Sequence, residues 1–207
     1  MHFRPVVIRK RDLTIKLQQI IPHPEPQVAL EQYTIPADLA AHILFQACYV
    51  YGDIENKSVA DLGTGTGRLA FGASMLGAGY VVGIDLDPIS LGVASRNAKL
   101  LGIHADWVCG VIECLRGKVD TVLMNPPFGT KQPHADIHFL QIALAFGTTV
   151  YSIHKSSTRE YLTRWLRGRA NKTERILSTR MEIPHQFAFH TKRSRKVAVD
   201  VFRIQPS

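Results

Sequence analysis

A doubly wound, mostly parallel α/β sheet of seven strands is the fold that this sequence predicts. Three features predict it. Short β-branched runs alternate with longer helical stretches from residue 58 to residue 167, the pattern of a parallel sheet with crossover helices. A glycine-rich turn, Asp61-Leu62-Gly63-Thr64-Gly65-Thr66-Gly67, stands between the first such run and the first core helix. A second turn, Asn125-Pro126-Pro127-Phe128, stops the fourth run, at the strand end where open α/β sheets bind ligands.

In order, a Pro-rich segment at 22–26 precedes the stretch 30–50, which reads as a leading helix. Ser58–Leu62 reads as the first strand, 68–76 as a small, apolar helix, and 80–84 as a second strand ending in Asp85. Pro88 suits the first turn of a helix running to about Leu101, because its missing N–H has no helical partner there anyway. Asp106–Cys109 is a weak third strand and Val119–Met124 a fourth. Helix 137–146, strand 149–153 and amphipathic helix 157–167 follow. Residues 173–181 and 197–204 read as a closing pair that adds an antiparallel strand, joined by a polar and aromatic connection. The expected sheet edges are the weak third strand and the strand around 173–181. The length, 207 residues, suits one domain over 1–207, with 1–50 an N-terminal extension and leading helix packed on the core.

Composition, 45% hydrophobic and 20% charged, excludes a disordered chain, a collagen-like repeat and a disulfide scaffold. Three cysteines with no CxxC pair argue against a disulfide framework or Cys-rich zinc site. They predict a reduced, cytoplasmic protein. No signal-peptide core and no run near the roughly 18 apolar residues of a membrane span is present. The net charge of +8 is unevenly spread: residues 1–20 carry +4, 21–154 carry −5 and 155–196 carry +9. An acidic body with basic ends points to a polyanionic partner, most often nucleic acid.

The glycine-rich turn suits close backbone approach to a ligand. Asp85, about 20 residues on, is spaced to hold two ribose hydroxyls. The turn is G-x-G-x-G after an acidic residue rather than the dinucleotide fingerprint G-x-G-x-x-G. That form resembles the class I S-adenosylmethionine-dependent methyltransferases, whose fold is Rossmann-like. In the second turn, two prolines leave carbonyls free and rigidly aimed. The Asn125 side-chain oxygen and the Pro126 carbonyl can accept both hydrogens of a planar amine, and Phe128 can stack on a base. Orientation is then most of the catalysis, and no His or Glu is expected as an essential base. The motif resembles methyltransferases that act on exocyclic amines and amides.

Three further stretches, Leu30-Glu31-Gln32-Tyr33, the run from Tyr151 to Glu160, and the run from Ile183 to His190, together with both turns resemble the methyltransferase-like protein 5 family over about residues 12–205. The resemblance implies an N6-adenine methyltransferase acting on small-subunit ribosomal RNA with S-adenosylmethionine. It also implies a heterodimer with a small zinc-binding activator protein, with the partner strand expected along the weak third strand or its neighbour. Carried over, Asn125, Pro126, Pro127 and Phe128 are catalytic. Gln32, Asp61, Gly63, Gly65, Thr66, Gly67 and Asp85 hold the cofactor, and no resident metal is expected. The sequence departs from the family at Val111, where an Asp often binds the cofactor's adenine amine, and at Arg68, where relatives tend to be apolar. Lys155, Arg159, Lys192, Arg193 and Arg195 are expected to bind RNA, with Phe187 and Phe189 beside them. Alternatives are a protein glutamine-N5 methyltransferase, a DNA adenine-N6 methyltransferase, and a non-catalytic RNA-binding assembly factor.

Overall fold

The computed structural model describes residues 8–27, 30–129, 134–184 and 194–207. The predicted sheet forms from β1 (Ser58–Leu62), β2 (Tyr80–Asp85), β3 (Asp106–Cys109), β4 (Val119–Met124), β5 (Gly147–Lys155), β6 (Ala170–Pro184) and β7 (Ser194–Pro206). Their order is β3-β2-β1-β4-β5-β7-β6. The first five pair in parallel, and β7 runs antiparallel to both β5 and β6. Both expected edges, β3 and β6, are therefore edges.

Alternation along each strand sends successive side chains to opposite faces. Val59, Val81, Leu123 and Tyr151 pack with α1 (Lys10–Gln18), α2 (Ala37–Tyr49), α3 (Arg68–Met75) and α4 (Pro88–Leu101). Ala60, Val82, Val122 and Val150 pack with α5 (Ala135–Phe146) and α6 (Arg159–Leu166).

Two differences from expectation matter for function. The leading helix begins at Ala37 rather than at residue 30, with Pro36 as its N-cap. The residue before a proline is pushed out of the helical region, so 30–35 stays irregular and crosses the C-terminal edge of the sheet. Helix α1, which was not expected, forms where Leu13 and Leu17 are fully buried. The closing pair is also longer than expected. Lys155 at the end of β5 lies opposite Val199, and five more pairs, Arg180↔Ala198 to Pro184↔Ser194, continue beyond it. At about 3.3 Å per residue this ribbon stands about 16 Å past the edge where the parallel strands end.

Candidate functional site

The glycine-rich turn holds three glycines at positive φ, Gly63, Gly65 and Gly67. Gly67 has φ +92°, and a Cβ there would lie 2.5 Å from the Phe71 ring and 2.9 Å from Trp107. Gly65 has φ +55° with open space around its Cβ position, so its backbone can be approached closely. Its N–H donates to Asp85 Oδ2 at 2.7 Å, and the Asp87 N–H donates to Asp85 Oδ1 at 2.9 Å. Burial outweighs those hydrogen bonds and raises the Asp85 pKa.

Asp61, expected to hold cofactor, organises the turn. It borders the cavity but is 1% exposed, and its Oδ2 accepts from Thr64 Oγ1 at 2.7 Å and Ala70 N at 3.0 Å. The latter is a first-turn N–H of α3 that has no partner within the helix. Burial pushes the Asp61 carboxyl up to about 7, against the two hydrogen bonds.

A cavity of about 510 Å³ lies between this turn, segment 30–35, Asp85, residues 110–113 and Asn125. At one end, Asn125 Oδ1 is buried and has no hydrogen-bond partner among the described residues, and Pro127 lines the wall beside it. Phe128 is 7% exposed. Its N–H donates to Glu31 Oε2 at 2.8 Å, its ring packs against Tyr33 at 5.2 Å, and Lys155 Nζ lies 5.6 Å from the ring centroid. So Phe128 is caged rather than open. Lys155, expected on RNA phosphate, covers the ring.

At the other end, Leu86 and Val111 are 56% and 54% exposed and line the wall. Glu113, the polar alternative to Val111 for holding an adenine amine, is paired with His138 at 2.5 Å.

Other expected residues have other tasks. The Gln32 amide borders the cavity but is engaged: Nε2 donates to Asp87 Oδ2 at 2.8 Å and Oε1 accepts from Gln27 N at 2.7 Å. Of the other residues expected to hold cofactor, Gly63, Gly65 and Thr66 line the cavity and Gly67 does not. The Arg159 guanidinium, expected on RNA, grips Asp200 at 2.7 and 2.9 Å, because Asp200 is fully buried and a buried carboxylate needs a partner. Arg195 is placed as backbone opposite Ile183. Lys192, Arg193, Phe187 and Phe189 lie outside the described residues.

Three residues gained no role from the sequence: Glu31, Tyr33 and Asp87. Asp87 caps α4, accepting from Ile89 N at 3.0 Å and Ser90 N at 3.3 Å, and His23 Nε2 lies 2.8 Å away. Burial acts to raise its pKa, but hydrogen bonds from Gln32, Ile89, Ser90 and His23 prevail and hold it at about 2. An Asp before the Pro at a helix start is a local capping signal that could have found it. Nothing local marks Glu31.

The cavity's chemistry suits a nucleoside carrying a charged tail: a carboxylate at mid-wall for a diol, apolar walls beyond it, and an unpartnered acceptor at the far end. Among the described residues no His/Cys/Asp/Glu group could hold a metal ion, and no helix is long and apolar enough to cross a membrane.

Comparison with known proteins agrees with the fold. The ribosomal protein L11 methyltransferase (PrmA) family model matches residues 46–126. An rRNA N(6)-adenosine-methyltransferase of Danio rerio is 37% identical, covering 97% of this chain and all of the relative. Its Drosophila melanogaster counterpart is 34% identical, covering 96% and 97%. A crystal structure of a candidate RNA methyltransferase from Pyrococcus horikoshii superposes with a TM-score of 0.85 at 37% identity, covering 97% of this chain and 99% of that one.

Proposed function

The chain belongs to the methyltransferase-like protein 5 family and is an S-adenosylmethionine-dependent rRNA adenine-N6 methyltransferase, and we propose that its target is an adenosine of small-subunit ribosomal RNA presented to Asn125. The observation that carries this reading is the buried, unpartnered Asn125 Oδ1 at the end of the cavity. A buried acceptor without a partner costs about 1–3 kcal/mol, a cost offset when an amine N–H arrives.

S-adenosylmethionine supplies an electrophilic methyl group on its sulfonium. Gly63, Gly65, Thr66 and Gly67 bring backbone to the cofactor, and Asp85 takes the ribose hydroxyls in place of its present N–H donors. Asp61 and Gln32 act from behind, by shaping the turn and by tying segment 30–35 to Asp87. Asn125 Oδ1 and the Pro126 carbonyl accept the two amine hydrogens of adenine and aim the nitrogen lone pair at the methyl. No side chain is required to remove a proton before attack, because the aromatic amine becomes acidic only once alkylated. Phe128 stacks on the base after Lys155 swings off its ring, and Pro127 keeps the turn rigid.

RNA approaches from the side of the β6–β7 ribbon. Support comes from its projection past the strand ends beside Lys155 and from the +9 charge of 155–196. Lys192, Arg193 and Arg195, basic residues of that charged segment, meet phosphate, which positions rather than specifies. Arg159 contributes through the part of its side chain turned away from Asp200. The target base must be extruded or already single-stranded.

The whole chain, 1–207, acts as one catalytic unit, with α1 packed on its core through Leu13 and Leu17. It works as a heterodimer with a small zinc-binding activator. Edge strand β3 and the exposed Leu86, Val108 and Val111 beside it offer unpaired backbone and apolar surface for strand addition. Three free cysteines fit a reducing cytoplasmic setting.

Mapping N6-methyladenosine in ribosomal RNA from cells with and without this gene tests the target. One small-subunit adenosine should lose its methyl group. An unchanged map, or label appearing on a release factor when methyl-labelled cofactor is supplied, would replace this reading with the glutamine-N5 one.

A further inference from the structure

Among the described residues lining the cavity, the acids Glu31, Asp61, Asp85 and Glu113 face a single Lys or Arg, Arg68. Arg68 is the first residue of α3, directly after the glycine-rich turn. Its Nη1 donates to the Ile35 carbonyl at 2.5 Å, which holds the head of the side chain beneath segment 30–35. Its Nε is buried and has no hydrogen-bond partner among the described residues. No carboxylate of the described residues pairs with it, and burial lowers its pKa. A guanidinium has five N–H donors and no acceptor. It stays charged at neutral pH, so burying it without an anion is unfavourable.

Such a cation in a ligand cavity calls for a ligand anion. The proposed cofactor orientation says which one. With the ribose at Asp85 and the methyl turned to Asn125, the wall left for the amino-acid tail is the one lined by the glycine-rich turn, Ile35 and Arg68. The tail's α-carboxylate is the one anionic group of S-adenosylmethionine.

We propose that Arg68 is a cofactor-binding residue that pairs with the α-carboxylate of S-adenosylmethionine and makes the cavity select the amino-acid form of the cofactor over its decarboxylated form. Hydrogen bonds to a charged group are roughly twice as strong as neutral ones. They are worth about 1.5–3 kcal/mol, or about 10- to 150-fold in affinity. The inference rests on the cavity being the cofactor site.

Isothermal titration of the full chain with S-adenosylmethionine and with decarboxylated S-adenosylmethionine reads this without any RNA. The wild type should bind the first at least tenfold more tightly. In Arg68→Met, which keeps an apolar stem, the gap should narrow to within about threefold through loss of affinity for the carboxylated ligand alone. Arg68→Lys, which keeps the charge, should retain an intermediate gap and covers the case in which the methionine variant does not fold. A gap that persists undiminished in the variants, or an equal loss for both ligands, overturns the assignment. A wild type that binds neither ligand overturns the cofactor-site reading, and the assignment with it.

Discussion

The Glu31 carboxylate accepts the Phe128 N–H at 2.8 Å, across 97 positions of sequence. Its neighbour Gln32 donates to Asp87 at 2.8 Å. Two adjacent residues of one irregular segment therefore grip the acceptor turn and the cofactor-side turn. Glu31 does so at φ +50°, a conformation that costs a non-glycine residue energy and persists where surrounding contacts over-determine it.

Glu31→Ala removes the acceptor from a buried N–H and loosens the turn that carries Asn125. Misplacement by about 1 Å can cost 10²-fold in rate. The expected result is a fall in kcat of at least about tenfold, with cofactor affinity unchanged within about threefold. Glu31→Gln, which keeps an acceptor oxygen, should recover most of the rate. Steady-state kinetics with cofactor titration checks this; equal losses in kcat and cofactor affinity would refute it.

Asp61 offers a stability test. Its folded-state pKa is raised to about 7, above the roughly 3.9 of an unfolded chain. The folded state therefore holds the proton more tightly. That contribution is complete below about pH 4 and is lost as the pH rises through 7. Asp61→Asn is neutral throughout and keeps an acceptor for Thr64 and Ala70. Its Tm advantage over the wild type should grow from pH 4 to pH 8. Thermal melts across that range decide, and a constant difference would show that Asp61 does not titrate there.

The closing ribbon is locked to α6 by Arg159 and Asp200. Burial works to raise the Asp200 pKa, yet Arg159, Ser178 and Ser156 hold it below the usual carboxylate range. Arg159→Ala leaves the buried Asp200 carboxylate without its cationic partner and should lower the Tm at neutral pH. The stabilisation is present above the unfolded pKa and lost as the pH falls, so the gap to wild type should shrink below about pH 4. An unchanged Tm would show that the pair does not lock the ribbon.

How far the sequence reached depended on whether the governing interaction is local. Strands β1, β3 and β4 and helix α4 match their expected bounds because turn residues and side-chain alternation mark them. The glycine-rich turn, Asp85 and the acceptor turn were legible for the same reason: their conformational demands fall on consecutive residues. Helix α1 was missed because its sequence is mostly polar, and only tertiary packing buries Leu13 and Leu17. The irregular path of 30–35 follows from Pro36, yet its contacts are fixed by Asp87 and Phe128, which lie 55 and 97 positions away. The Arg159–Asp200 pair was not legible either, because the buried partner lies 41 positions on.

The exposed apolar edge predicts a partner-dependent phenotype. Val108→Asp places charge on β3, where the activator strand is expected. Co-purification of the small partner should be lost while cofactor affinity stays within about threefold. Retention of the partner by the variant would move the interface elsewhere.

The central claim is that Asn125 receives the adenine amine. Purified wild-type protein and Asn125→Ala, each shown by titration to bind S-adenosylmethionine, would be incubated with methyl-labelled cofactor and unmethylated small-subunit rRNA. The RNA would then be digested to nucleosides. The account predicts that the wild type puts its label in N6-methyladenosine and that the variant loses at least about 10²-fold of that signal. Label in another nucleoside, or an Asn125→Ala protein that transfers methyl groups as fast as the wild type, would contradict it.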